Sequence, residues 1–318
     1  MKHEKKILVI GLGPSGGIFA AHMAAYGYRI YGVDPWQDHL NAISCSGLKI
    51  THFTSIETRL EEVAFYIDQL QENIFDYVAI AVKTPRVPEV LPMLKKLPGQ
   101  FKIIILQNGL DNEEYVAEFF QRDRILRTAV NYAGNIESPG IIKMNFFQEP
   151  NRIGCICKEK NCGHAIEIAE MMTLASLDTV AVADIREFTW KKAIYNAILA
   201  PIAAILGVTM ADVMADTGTR FIVESLIRES IAVAKAAGYD YGSDFFDQCV
   251  NFLLKAGRHK PSMLIDLENG NPTEIDFING KIAEYGKSCN IPVPFNTTMA
   301  ALVKARDNYN FKSKRSEK

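Results

Sequence analysis

Two stretches in the second half of this 318-residue chain carry side chains suited to acid–base work. In Trp190-Lys-Lys192-Ala-Ile-Tyr-Asn196, the residues Lys192 and Asn196 stand four apart, so a helix sets them on one face. In Ser262-Met-Leu-Ile-Asp266 with Thr273-Glu274-Ile-Asp-Phe-Ile-Asn279-Gly280, the pair Thr273-Glu274 opens a helical pattern, where a carboxylate is electrostatically favoured. A lysine partly withdrawn from water has its charged form disfavoured, which suits it to give up a proton. Held charged, it attracts an anionic substrate and stabilises an alkoxide. A glutamate nearby opposes the first effect and supports the second. Periodicity alone favours the plainer readings, a solvated lysine and a first-turn acid.

A third stretch binds rather than reacts. Gly11-Leu-Gly13-Pro-Ser-Gly16 follows the β-branched run Ile7-Leu-Val-Ile10 and opens a helix. Asp34 follows Gly16 by 18 positions, at the end of the next strand pattern. That context is the dinucleotide-binding fingerprint. Gly11 permits the tight turn, Gly13 lets a pyrophosphate approach the backbone, and Gly16 lets helix and strand pack closely. The unpaired N–H groups of the helix start hold the phosphates. The alternative is a glycine-rich turn with no ligand. A carboxylate at Asp34 hydrogen-bonds the ribose 2′-hydroxyl of NAD and repels the 2′-phosphate of NADP. The nearest cations in sequence are Arg29, inside the strand, and Lys6, so NAD is expected over NADP. Asp34 could instead cap the helix that starts at Pro35.

These groups need a scaffold, and the hydrophobic pattern describes one. Apolar strands at 7–10, 29–33, 77–82 and 101–106 alternate with helical patterns at 18–26, 87–97 and 112–121. Such alternation implies a doubly wound parallel sheet covered on both faces. Strands dominate 125–156, followed by a helix at 165–174 and a strand near Val180. From about Asp184 the texture is helical, with predicted helices over 185–206, 219–237, 244–256, 274–289 and 297–305. Residues 258–272 lack helical periodicity and read as a loop able to cover a site. The expected architecture is α/β: a Rossmann domain over 1–183, an all-α substrate domain over 184–310, and a loose tail over 311–318. Crevices between such domains commonly hold ligands.

Composition excludes several classes. With 35 Lys+Arg against 37 Asp+Glu the net charge is −2, which gives no field for nucleic acid. The apolar run at 193–208 is broken by Asn196 and Pro201 and is too short to span a bilayer. The basic start lacks the apolar length and cleavage site of a signal peptide. A cytoplasmic protein with six reduced cysteines is expected. Cys155, Cys157, Cys162 and His164 resemble a ligand cluster, but the spacing fits no standard zinc site, and no metal is expected.

Taken together the motifs resemble the ketopantoate reductase family over nearly the whole chain. The carriers are Gly11-Leu-Gly-Pro-Ser-Gly16, Ala81-Val-Lys83-Thr, Leu106-Gln-Asn-Gly109 with Asn112-Glu113, Trp190-x-Lys192 with Asn196, and the Ser262 and Thr273–Gly280 motifs. The resemblance implies hydride transfer between a nicotinamide dinucleotide and C2 of a 2-oxo acid, with 2-dehydropantoate as substrate and a role in pantothenate synthesis. It implies Lys192 as general acid and Glu274 as the group that contacts the forming hydroxyl. Asn196 and Ser262 then hold substrate, while Asn108 and Lys83 line the nicotinamide side. Two departures bear on the substrate tail: Ala200 stands where the family has a second asparagine, and His259 where it often has a polar amide. With Asp34 they leave open an NAD-dependent D-2-hydroxy acid dehydrogenase of the D-mandelate type. A redox sensor without turnover is a further alternative. A homodimer is expected.

Overall fold

The computed structural model describes residues 4–148, 150–157, 163–255 and 257–316, with side chains placed through residue 309. The chain divides into two compact units, one of residues 1–107 and 111–188, the other of 108–110 and 189–318.

The first unit contains strands β1 (Lys6–Ile10), β2 (Arg29–Val33), β3 (Leu48–His52), β4 (Ile56–Thr58), β5 (Glu62–Ala64), β6 (Tyr77–Ile80), β7 (Lys102–Ile105), β8 (Ile125–Ala129), β9 (Tyr132–Ser138), β10 (Ile141–Phe147), β11 (Asn151–Cys155) and β12 (Thr179–Ala181). Its helices are α1 (Pro14–Tyr26), α2 (Gln37–Ser46), α3 (Val87–Leu94), α4 (Asn112–Ala117) and α5 (Gly163–Leu174). The larger sheet runs β12-β11-β8-β7-β6-β1-β2-β5. Every neighbouring pair in it is parallel except β11 with β8. Alternate residues serve opposite faces: Ile7 and Val9 pack into one core, Leu8 and Ile10 into the other. Both faces being covered is why these strands read as unbroken apolar runs. Strand β1 sits between β2 and β6, so the chain reverses its direction of winding at the carboxyl end of β1. Open α/β sheets bind ligands at such a switch point.

A smaller sheet, β4-β3-β10-β9, packs against α1; β9 and β10 fall in the span 125–156 expected to be rich in strands, whereas β3, β4 and the separate sheet are not expected from the sequence. Its members β3 and β4 are short and mix polar with apolar residues, so they carry little periodic signal.

The second unit is helical among its described residues: α6 (Ile185–Leu206), which starts in the first unit, α7 (Met210–Ala215), α8 (Thr217–Ala236), α9 (Phe245–Leu254), α10 (Ser262–Asn269), α11 (Asn279–Ser288) and α12 (Pro294–Ser316). Three expectations are corrected. The segment expected as a loop holds α10: Met263, Leu264 and Leu267 form a buried stripe, and Gly270 closes the helix in a left-handed conformation. Flanking proline and glycine hide this short helix from a periodicity search. The helix expected over 274–289 is broken. Glu274 caps a 3-10 turn at Ile275–Phe277, the backbone bends at Ile278 (φ −113°, ψ −92°), and α11 starts only at Asn279. Finally, α12 continues to Ser316, through the stretch expected as a loose tail.

Candidate active site

The glycine turn occupies the switch point. Gly11 has φ +93°, and a Cβ there would lie 2.8 Å from the Val82 nitrogen. A Cβ at Gly16 would fall 1.9 Å from the Gly11 oxygen and 2.7 Å from the Ala81 Cβ. Both positions therefore serve internal packing. Gly13 differs: its φ is −60°, and a Cβ would meet nothing within 4 Å. Neither strain nor crowding within the protein requires glycine at that point. Gly13 is also the N-cap of α1 and offers no side chain to the N–H groups of the first turn. Open space beside uncapped N–H donors fits a pyrophosphate. Ala81 and Val82, just past the end of β6, border the same turn, and Lys83 follows them in the chain.

Asp34 is nearly buried and already bonded. Its Oδ2 accepts the Leu12 N–H at 2.8 Å and its Oδ1 the Trp36 N–H at 2.9 Å. A carboxylate has about four acceptor positions, so room remains for ribose hydroxyls. The helix-cap alternative does not hold: α2 begins with Trp36 as N-cap and has no side-chain cap.

In the second unit, Lys192, Asn196 and Ala200 follow one another at four-residue steps along one face of α6. The first two are half-buried and Ala200 is buried. Glu274 is buried at the head of its 3-10 turn. The Asn108 loop packs on that same turn. Gly109 adopts φ +95°, a Cβ there would meet the Phe277 oxygen at 2.8 Å, and the Leu110 N–H donates to the Phe277 carbonyl at 2.8 Å. The structure thus brings the Asn108 and Glu274 segments together. Ser262 and His259 are exposed, on the segment that leads into α10.

Three supports had not been marked as functional. The first braces α6. Pro201 lies inside that helix and has no N–H for the Ala197 carbonyl. The Asn279 amide supplies the missing donor at 2.9 Å, and also donates to Asn296 Oδ1 at 3.0 Å. The second braces Glu274: the Thr273 N–H and hydroxyl both donate to Asp307 Oδ2, at 3.3 and 2.6 Å. Burial raises the Asp307 carboxyl above its ordinary range. The third braces the loop before Asn108. Arg127, 1% exposed, donates to the Gln107 carbonyl at 2.6 Å and pairs with buried Glu113. Asn279, Thr273, Gln107 and Glu113 stand in motifs visible in sequence, but Asp307 and Arg127 do not, and none of the pairings is local enough to be read from spacing.

Among the described residues no cluster of His, Cys, Asp or Glu is disposed to hold a metal, and Cys45, Cys157, Cys249 and Cys289 are free thiols. Cys162 lies outside the described residues. None of the described helices is long and apolar enough to cross a membrane.

The chain resembles known proteins along both units. Residues 7–157 match the model for Ketopantoate reductase PanE/ApbA, and residues 184–307 match its C-terminal counterpart. A 2-dehydropantoate 2-reductase of Streptococcus pyogenes is 26% identical over 304 residues, covering 95% of this chain and 97% of the relative. The 2-dehydropantoate 2-reductase of Geobacter metallireducens superposes with a TM-score of 0.86 at 25% identity, over 94% of this chain and 99% of that one. D-mandelate dehydrogenase, solved with NADH and anilino(oxo)acetate, superposes with a TM-score of 0.87 at 22% identity, over 96% and 99%. With the fingerprint turn, the Lys192 helix and the Glu274 turn in place, the chain belongs to the ketopantoate reductase family, oxidoreductases that act on CH–OH groups with NAD(P).

Proposed function

We propose that this chain reduces the C2 carbonyl of a small 2-oxo acid, 2-dehydropantoate foremost, using NADH. The observation that carries the reading is that one helical unit holds both the half-buried Lys192–Asn196 face of α6 and a buried Glu274, in a chain that also keeps an open, uncapped glycine turn. Residues 1–183 serve the cofactor and residues 184–310 the substrate. The nicotinamide supplies the hydride when bound. Lys192 attracts the substrate carboxylate and gives a proton from Nζ to the carbonyl oxygen, so the new hydroxyl gains its hydrogen as C2 is reduced. Glu274 accepts a hydrogen bond from that hydroxyl and favours the charged lysine between turnovers. Asn196 and Ser262 orient the acid, with Ala200 and His259 toward its tail. Lys83 and Asn108 border the nicotinamide, while Gly11, Gly13 and Gly16 form the pyrophosphate turn.

NAD is preferred because Asp34, fixed by two backbone N–H groups, cannot swing away from a 2′-phosphate. A site built for a 2′-hydroxyl rejects the wrong group strongly. A cytoplasmic homodimer belongs to the same reading. Buried Ala200 favours a second one, an NAD-linked D-2-hydroxy acid dehydrogenase, because it removes an amide from the tail position.

Initial rates of NADH and NADPH oxidation with ketopantoate, phenylglyoxylate and 2-oxoisovalerate test both readings in parallel. A ketopantoate optimum supports the first. A phenylglyoxylate optimum with NADH supports the second. Lys192→Ala should lower kcat at least a hundredfold, the lower end of what a positioned proton donor contributes. Near-normal turnover would remove Lys192 from the mechanism.

A further inference from the structure

Leu12 stands between Gly11 and Gly13, and both of its main-chain polar groups are taken by side chains. The N–H donates to Asp34 Oδ2 at 2.8 Å, and the carbonyl accepts from His39 Nε2 at 3.0 Å. The tautomer of His39 follows from its partners. A carbonyl only accepts, so Nε2 carries the proton. The Gly140 N–H only donates and reaches Nδ1 at 3.0 Å, so Nδ1 is bare. His39 is fully buried, and water cannot replace either bond. Trp36 lies flat on the imidazole, with centroids 5.3 Å apart and planes inclined by 8°. Its indole is 41% exposed, two residues from the carboxylate expected to hold the ribose.

We propose that His39 is a positioning residue for dinucleotide binding: its neutral imidazole locks the Leu12 peptide of the glycine turn to the turn at Gly140 and backs Trp36 as a wall beside Asp34. The inference rests on reading the Gly11–Gly16 turn as a dinucleotide site. With Asp34 on the N–H and His39 on the carbonyl, the two peptide planes that flank Leu12 are each held by one side chain, and the one that leads into Gly13 is held by His39. The donors at the start of α1 are thereby aimed before any ligand arrives, and preorganisation of this kind appears as affinity. The bond also ties the turn to the smaller sheet, because Gly140 joins β9 to β10.

The test is NADH binding to the purified full-length protein without any oxo acid, followed by fluorescence well below the melting temperature. His39→Phe keeps the ring stacked on Trp36 and loses both bonds. Its Kd for NADH should rise at least tenfold, and its KM for NADH likewise, while kcat and the KM for the oxo acid stay within twofold. His39→Gln, which can still reach the Leu12 carbonyl, should bind NADH more tightly than His39→Asn, which is too short. That pair decides the matter if the phenylalanine variant does not fold. An unchanged Kd in His39→Phe, or equal values for the two amides, overturns the role of His39 alone. Wild-type protein that binds neither NADH nor NADPH overturns the reading of the turn as well.

Discussion

Replacing Asn279 by leucine keeps the branching of the side chain and removes the two donors that serve the Ala197 carbonyl and Asn296 Oδ1. Asn279 is fully buried, so both acceptors lose a partner where water cannot substitute. An unsatisfied buried polar group costs about 1–3 kcal/mol, which puts the variant about 2–6 kcal/mol below wild type. Pro201→Ala alters the outcome in a defined way. An alanine at that position has an N–H, and the helix aims it at the Ala197 carbonyl. In that background only the Asn296 acceptor is orphaned, so Asn279→Leu should cost about 1–3 kcal/mol less than in wild type. Urea unfolding of the four proteins, followed by far-UV circular dichroism, gives the coupling directly. Because α6 carries Lys192 and Asn196, kcat should recover in the double variant along with stability. Costs that add within about 0.5 kcal/mol would show that the amide does not stand in for the missing proline donor.

Gly13→Ala should leave stability within about 1 kcal/mol of wild type yet weaken NADH binding at least tenfold, because its Cβ meets only the space a pyrophosphate would fill. Gly16→Ala should fail to fold, and a stable, NADH-binding protein would contradict the packing at Gly11. Arg127→Met leaves buried Glu113 with Arg186 as its remaining ionic partner and the Gln107 carbonyl without its donor, and should cost about 1–3 kcal/mol in urea titration. A pH series tests His22, whose Nδ1 donates to the Ala175 carbonyl and whose protonation burial disfavours. Its folded proton affinity lies below the ordinary value of 6.5, so its contribution to stability is complete above that pH and is lost as the pH falls through the folded value. His22→Gln should flatten the acid-side decline, and an unchanged slope would assign the decline to other groups.

The sequence discloses what is periodic and local. Strands β1, β2, β6 and β7 are visible because burial on both faces demands continuous apolar residues. The glycine turn is visible because close packing at Gly11 and Gly16 fixes the positions of those two residues in the motif. Helix α6 matches its expected span from 185 to 206, since its apolar face is long enough to average out Pro201. What escapes depends on partners far along the chain. The role of His39 requires Gly140, 101 residues away, and that of Pro201 requires Asn279. The region from 35 to 76 yields little because β3, β4 and β5 are three to five residues each and partly exposed. The bend at Ile278, which frees Glu274 from α11, has no signature in residue type.

The Asn108–Leu110 loop bears on how such chains can be recombined. Leu110 belongs to the core of the helical unit, although 78 residues of the other unit, 111–188, follow it. A cut near residue 184 would strip that core of one of its own side chains and the Phe277 carbonyl of its donor. Chimeras that exchange the helical halves of two relatives must therefore match residue 110 to the incoming Phe277 turn.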